Sequence, residues 1–305
     1  MRVIPPLEIT AGRFTSSTIA EPDAGETAWN AATSYTVGDI AIRTTTHRKY
    51  QNLIAGVDAT NPESAPTRWL DVGPTNKWAM FDTIRNSATI KATTVTVVLT
   101  PGVRVDAVAL LGVVANSAVI SMTSVTGGGT VYNSGTINLN TREVLDWYDY
   151  FFKAFSTQPS IALFDLPPYS DGIITITLNA TSGNVECGAC VIGSQFYLGG
   201  VQYEAENDVL NFSSVTRDFA GGTATMVQRR NVPKTIQSIW ADKSRVNAIR
   251  DLRDSLNAMP AVWSGLYDDT DQYFEALLIL GFYKKFSINL RYPQHAIISL
   301  ELEEI

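Results

Sequence analysis

Residues 172–180, GIITITLNA, and residues 185–199, VECGACVIGSQFYLG, carry the pattern that decides the fold class. In the first segment Ile174, Ile176 and Leu178 alternate with other residues, which is the period of a β-strand with one buried face. Between the segments, Ser182-Gly183-Asn184 has the composition of a turn. We therefore predict two strands separated by a short break.

Other short segments between residues 79 and 203 have the same strand-like composition. They are TTVTVVLT (93–100), VDAVALLGV (105–113), SAVISMTSV (117–125) and TVYNSGTINL (130–139). Pro101-Gly102 and the glycine triplet at 127–129 interrupt them, and the triplet lacks the Lys-Ser/Thr of a phosphate-binding loop, so we interpret it as a hairpin connection. Many short strands with turns between them favour a β-sandwich or jelly roll over residues 78–205.

The flanking regions differ from this middle region. Residues 243–259, KSRVNAIRDLRDSLNAM, have helical spacing up to Pro260, and the chain closes with the alternating segment AIISLELEEI, so residues 206–305 are predicted to be an α+β domain. Residues 28–73 contain short alternating segments separated by Gly, Asn and Pro, which predict a very small β unit. Residues 1–27 show little periodicity and are predicted to be an extended arm. The predicted fold class is thus mainly β and multidomain.

Length and composition exclude several classes of protein. A chain of 305 residues predicts two or three domains, and 45% hydrophobic with 17% charged residues is typical of a globular protein. The net charge of -7, without a basic block, argues against a nucleic-acid partner. No apolar run approaches the roughly 18 residues of a membrane span, and MRVIPPLEIT at the start lacks the apolar core of a secretory signal.

Candidate metal sites have weak support in the sequence. Cys187 and Cys190 have CxxC spacing but no second pair or His cluster, and zinc needs about four ligands, so we interpret them as two small strand residues. The acidic segment Asp268–Asp271 could supply oxygen ligands to a calcium ion, but it lacks the Gly and Glu of an EF-hand loop and is better read as a solvated turn. We predict no metal site and no cofactor.

Candidate catalytic residues are equally few. His47 and His295 lie far apart in the sequence, without the spacing of a hydrolytic triad, and His47 is expected at the surface. Asp146, Asp149 and Asp165 lie among aromatic residues and are the candidates for the paired carboxylates of a glycan hydrolase. Buried tyrosine and backbone partners explain them as well, so the chain is not predicted to be an enzyme.

Residues 28–73 combine Ala28-Trp29, Tyr35-x-x-Gly38-Asp39-x-Ala41, Tyr50, Pro62 and Trp69-x-x-x-Gly73. This pattern resembles the family 5/12 (chitin-binding type 3) carbohydrate-binding modules. The resemblance implies that Trp29, Tyr35 and Trp69 largely build a miniature core, whereas an exposed aromatic pair just after the Tyr50 position stacks on sugar rings. Leu53-Ile54 stand at those stacking positions here. The candidate saccharide contacts are Trp29, Tyr35, Tyr50 and Trp69.

A wider resemblance starts at the joint GPTNKWAMFD, residues 73–82, and continues through WYDYFF (147–152), LGGVQY (198–203) and RDLRDSLNAMPAVW (250–263). Over most of residues 28–305 the chain is similar to a group of tailed-bacteriophage tail proteins. This resemblance implies a structural component of the virion tail tip or baseplate, present as a symmetric homo-oligomer and assembled with other tail proteins. The alternatives are a host-glycan-binding protein, with a host-surface saccharide as partner, and a glycan hydrolase.

Overall fold

The computed structural model describes residues 1–84, 87–141, 146–153, 156–217, 221–267 and 273–305, and it is mainly β, with 50% strand and 10% helix. The strands are β1 (Arg2–Ile4), β2 (Phe14–Ser17), β3 (Ser34–Tyr35), β4 (Ile40–Arg43), β5 (Arg48–Asn52), β6 (Gly56–Val57), β7 (Trp69–Pro74), β8 (Thr89–Leu99), β9 (Ala107–Val114), β10 (Ser117–Ser124), β11 (Gly129–Asn133), β12 (Ile137–Asn138), β13 (Asn140–Thr141), β14 (Ser156–Thr157), β15 (Ser160–Leu163), β16 (Ile173–Gly193), β17 (Phe196–Tyr197), β18 (Gly200–Val201), β19 (Glu206–Leu210), β20 (Ser214–Arg217), β21 (Ala224–Val227), β22 (Val232–Asp242), β23 (Ala261–Ser264), β24 (Leu278–Asn289) and β25 (His295–Glu304). The α-helices are α1 (Trp147–Phe152) and α2 (Val246–Ser255), and short 3-10 helices cover Pro62–Ser64, Ala79–Phe81, Lys243–Arg245 and Glu275–Leu277.

The chain divides into two compact units. The larger unit comprises residues 7–191, and the smaller unit comprises residues 1–6 and 192–305. The segment 1–27, predicted as one extended arm, contains two paired strands, because β1 belongs to the sheet of the smaller unit and β2 to that of the larger unit. The predicted subdivision into residues 28–73, 78–205 and 206–305 stays a prediction.

In the larger unit, an eight-stranded, sandwich-like sheet is organised around β16. Its order is β11-β10-β16-β8-β2, with β12 beside β10 and β9 joining β16 to β15. The two segments predicted as separate strands form this one strand of 21 residues as far as Gly193, and the end of the second segment forms β17 in the other sheet. The expected turn at Ser182-Gly183-Asn184 is instead an irregularity, where the register with β8 shifts between Asn179 and Asn184. Gly183 has φ of +79°, a conformation that glycine adopts without steric cost.

Small sheets in the same unit account for the region predicted as a very small β unit. β4, β5 and β7 form a three-stranded antiparallel sheet, and β3 pairs with β6. The aromatic residues of these strands face inward and pack on one another, so the short strands are held by a compact core.

The smaller unit contains an eight-stranded sheet in the order β17-β1-β23-β24-β25-β22-β18, with β19 also pairing with β22. The predicted helix is confirmed as α2, which contributes Ile249 to a core shared with Trp263 and Ile298, and Leu256 directly after the helix joins the same core. It ends at Ser255, earlier than residue 259, and Ala258 has a left-handed φ of +57° that a continuing helix does not permit. The closing strand is confirmed as β25, in which every second residue is buried.

Candidate functional site

The aromatic residues predicted to contact saccharide build the core of the small sheets. Tyr35, Tyr50 and Trp69 are buried and pack around Ala41, with the rings of Tyr35 and Trp69 edge to face at 5.0 Å between centroids. Since burial closes these three rings to solvent, their placement fits a core role rather than direct contact with a sugar. Trp29 is only half-buried, at the side of this core.

The accessible surface beside Trp29 is not a flat aromatic platform. The Arg43 guanidinium lies 4.9 Å from the centre of the Trp29 ring, and Arg43 also donates a hydrogen bond of 3.1 Å to Glu63. Leu53 and Ile54, at the positions where the resemblance places stacking aromatics, are exposed aliphatic side chains. Aliphatic groups lack the flat face that packs on the C–H surface of a sugar.

The joint GPTNKWAMFD holds the segment before the small sheets in place. The buried carboxylate of Glu21 accepts hydrogen bonds from Thr75 Oγ1 at 2.8 Å and Trp78 Nε1 at 3.2 Å, and it binds His47 Nδ1 at 2.9 Å. His47, which was expected at the surface, is half-buried and stacks on Trp78 with 4.2 Å between ring centroids. These contacts give the joint a structural role.

Asn76 supplies a second set of contacts at the same joint. Its backbone amide donates to Glu26 at 2.8 Å, and its side-chain amide exchanges two hydrogen bonds of 2.8 Å with the backbone of Ile90 at the start of β8. The same side chain donates to Asp23. One residue of the joint therefore ties the segment before the small sheets to the first long strand of the larger unit.

The three candidate catalytic carboxylates each have a local structural partner. Asp146 accepts a hydrogen bond of 2.8 Å from the backbone amide of Asp149, which caps α1, and Asp149 lies 3.6 Å from Lys153 in an ion pair. Asp165 accepts a hydrogen bond of 2.8 Å from the Tyr132 hydroxyl. Capping and hydrogen bonding explain all three carboxylates without a catalytic role.

Both cysteines are buried in β16, as expected for strand residues. Burial raises the pKa of the Cys187 thiol to about 12, and the pKa of Cys190 also lies well above its usual range because of burial and the neighbouring Cys187. Both groups are therefore protonated thiols at neutral pH, and a protonated thiol is a poor nucleophile and metal ligand.

Neither thiol is expected to react with an aromatic disulfide reagent in the folded protein at pH 8, because both are buried and protonated. Absorbance should rise only after denaturant is added, when two thiols per chain react. Rapid native labelling of either cysteine, located by peptide mass spectrometry, would contradict the buried placement.

An exposed run of aromatic residues in the larger unit is α1, whose sequence is WYDYFF. Five of its six side chains are aromatic and 51–78% exposed: Trp147, Tyr148, Tyr150, Phe151 and Phe152. The rings contact one another, for example Tyr148 and Phe152 at 5.0 Å and Tyr150 and Phe151 at 5.1 Å between centroids. We call these five side chains the α1 aromatic surface.

The α1 aromatic surface is large for a surface open to water. Since a fully exposed aromatic side chain presents roughly 150–250 Å², the five together present about 700 Å². Monomeric proteins rarely expose apolar patches beyond a few hundred Å², whereas each partner in a standard protein interface buries about 800 Å². The size of the surface therefore fits a protein interface.

Sequence reasoning singled out the aspartates of this segment and missed its aromatic surface. The available signal is the packing of five aromatics into six residues, which leaves Asp149 as the single polar residue of the helix. At about 3.6 residues per turn the five rings cover roughly 200° of the helix circumference, so one short helix cannot turn all of them towards a core. Some aromatic side chains in such a run are therefore expected to stay exposed on the chain itself, where a binding partner can cover them.

Comparison with protein-family models, characterised proteins and solved structures gave no match. Within the described ranges, His, Cys, Asp and Glu side chains form no group of three that could hold a metal ion, and no helix there has the length and apolarity to cross a membrane. The acidic segment Asp268–Asp271, considered for calcium, lies outside the described residues.

Proposed function

We propose that this protein is a structural component of a bacteriophage tail tip or baseplate, where it assembles with copies of itself and with other tail proteins. The α1 aromatic surface carries the proposal, because about 700 Å² of exposed aromatic side chain is close to the area that each partner buries in a standard protein interface. The resemblance of most of residues 28–305 to tail proteins supports the same role and supplies the viral context.

The chemistry of α1 also supports a protein partner. Aromatic residues are enriched at the centres of protein interfaces, where a few large rings carry most of the binding energy. Asp146 caps the helix and Asp149 forms the ion pair with Lys153. These contacts stabilise the short helix that carries the five rings.

Replacing two rings of α1 is expected to block assembly without unfolding the chain. In the double variant Trp147→Ser/Phe151→Ser both substituted side chains are exposed, so the free energy of unfolding should change by less than about 1 kcal/mol. Loss of two interface aromatics at about 2 kcal/mol each predicts a reduction of incorporation into tail particles by about three orders of magnitude. Incorporation is measured by complementation and immunoblotting of purified particles.

Tyr203→Ser provides the matched control, because Tyr203 is a fully exposed aromatic residue outside α1. It should leave both stability and incorporation at the level of the unmodified protein. Normal incorporation of the double variant, with the control behaving the same way, would overturn the role of the α1 aromatic surface.

Contribution to host-surface attachment is a second part of the proposal and concerns the small sheets. Of the four predicted saccharide contacts, Trp29 alone has a partly open ring. Binding of the full chain to chitin or host envelope that disappears in Trp29→Ala would support attachment through this ring. Equal retention of both proteins on the polymer would remove it.

A further inference from the structure

The smaller unit contains a cavity of about 260 Å³ beside the start of α2. Its lining comes from two segments that are distant in sequence. Lys243 lies in the 3-10 helix between β22 and α2, and Val246 is the first residue of α2. The other side comes from the connection between β24 and β25 and from the start of β25, with Leu290, Arg291, Tyr292 and His295.

Two of the lining residues are cations without an ion-pair partner. Among the residues that the structure describes, neither Lys243 nor Arg291 lies in a salt bridge, whereas Arg230, Lys234, Arg250, Arg253 and Lys284 of the same unit each do. The adjacent carboxylate of Asp242 is engaged by Ser244, whose backbone amide and hydroxyl donate to it at 2.8 and 2.6 Å. The cavity therefore presents positive charge on a chain whose net charge is -7.

A stack of three rings forms the adjoining wall. The His295 ring lies between Trp240 and Tyr292, at 4.5 and 4.7 Å between ring centroids and with interplanar angles of 12° and 16°. This stacking orients Tyr292, which otherwise sits in a connection between strands. A flat ring held beside two cations combines a surface for C–H groups with a site for negative charge.

We propose that this cavity binds an anionic saccharide unit. Lys243 and Arg291 contact its phosphate or carboxylate group, and Tyr292 packs against the C–H face of its ring. The volume of about 260 Å³ lies just below the roughly 300–1,000 Å³ typical of sites for drug-sized ligands, which suits one sugar residue. This inference does not depend on the assembly role, since it uses none of the α1 aromatic surface.

The direct test is calorimetric titration of the full chain with four probes: glucose 6-phosphate, glucuronate, glucose and inorganic phosphate. At least one of the two anionic sugars should bind with Kd near or below about 1 mM, and glucose and inorganic phosphate should each bind at least about tenfold more weakly. Binding of glucose 6-phosphate alone assigns the site to phosphorylated sugars, and binding of glucuronate alone assigns it to sugar acids.

Variants connect the affinity to the residues of the cavity. Arg291→Gln and Lys243→Gln should each weaken binding of the anionic sugar by about tenfold or more, and Tyr292→Ala should bring its affinity down to that of the bare anion. Arg250→Gln, on the exposed side of α2 and outside the cavity lining, should leave affinity unchanged. All four side chains are exposed, so circular dichroism should show folded protein in each case.

Several outcomes would overturn the proposal. Equal binding of glucose and glucose 6-phosphate would remove the role of the cations, and equal binding of inorganic phosphate would remove the role of the sugar ring. Unchanged affinity in Arg291→Gln and Lys243→Gln would place any observed site elsewhere. Absence of binding by both anionic sugars up to about 10 mM would reject the site altogether.

Discussion

Replacement of Val3 by aspartate is expected to unfold the eight-stranded sheet of the smaller unit. Val3 is completely buried in β1, where it lies opposite Phe196 of β17 and Trp263 of β23. An unpaired carboxylate at this position costs several kcal/mol, a large part of the roughly 5–15 kcal/mol that stabilise a typical folded protein. Hydrogen exchange of backbone amides in β24 and β25 should therefore become fast, while amides in β8 and β10 stay protected.

The same substitution at Val209 is the control, because Val209 is 44% exposed in β19. It introduces the same charge into the same unit at a position that water can reach, and exchange in β24 and β25 should remain slow. Equal protection in the two variants would show that β1 contributes little to the sheet. That result would instead agree with the prediction that these residues belong to an extended arm.

Trp78→Ala is expected to destabilise the larger unit by about 3–5 kcal/mol, the usual cost of removing a large buried aromatic side chain. Trp78 is buried between the rings of Phe14 at 4.9 Å and His47 at 4.2 Å. The change also removes the indole N–H that donates to Glu21, so a buried carboxylate loses one of its donors. Thermal unfolding should shift down by about 10 °C or more.

Trp147→Ala is the matched control for this prediction, since Trp147 is exposed in α1. The same chemical change there should alter the free energy of unfolding by no more than about 0.5 kcal/mol. Comparable melting temperatures for the two variants would contradict the structural role of the joint. Comparing the two variants also separates effects on stability from effects on assembly, because Trp147 is expected to contribute binding energy only when a partner covers α1.

Local patterns in the sequence predicted those parts of the fold that depend on local chemistry. Alternation in Ile174, Ile176 and Leu178 identified a strand with one buried face, and spacing over residues 243–259 identified α2. The turn predicted at Ser182-Gly183-Asn184 was wrong, because a strand can accommodate such residues as an irregularity. This happens when its pairing with the neighbouring strand continues on both sides of them. Only the pairing with β8 decides between a turn and an irregularity.

Long-range pairing explains most of what the sequence could not predict. Residues 2–4 look like part of an arm because their partners in β23 lie at the other end of the chain. The proposed anion site is hidden for the same reason, since Lys243 and Arg291 become neighbours only through the arrangement of β22, β24 and β25. The exposure of the α1 rings depends on whether other parts of the unit pack against them, and a local sequence pattern does not predict such packing.

The pairing of β1 with β23 affects the order in which the two units can fold during synthesis. Apart from the last two residues of β16, the strands of the larger unit lie within residues 7–191, so that unit can fold while later residues are still being made. β1 leaves the ribosome well before its partner β23, with a delay on the order of tens of seconds at usual rates of translation. β1 is thus made long before the other strands of its own sheet and can pair only when they have been synthesised.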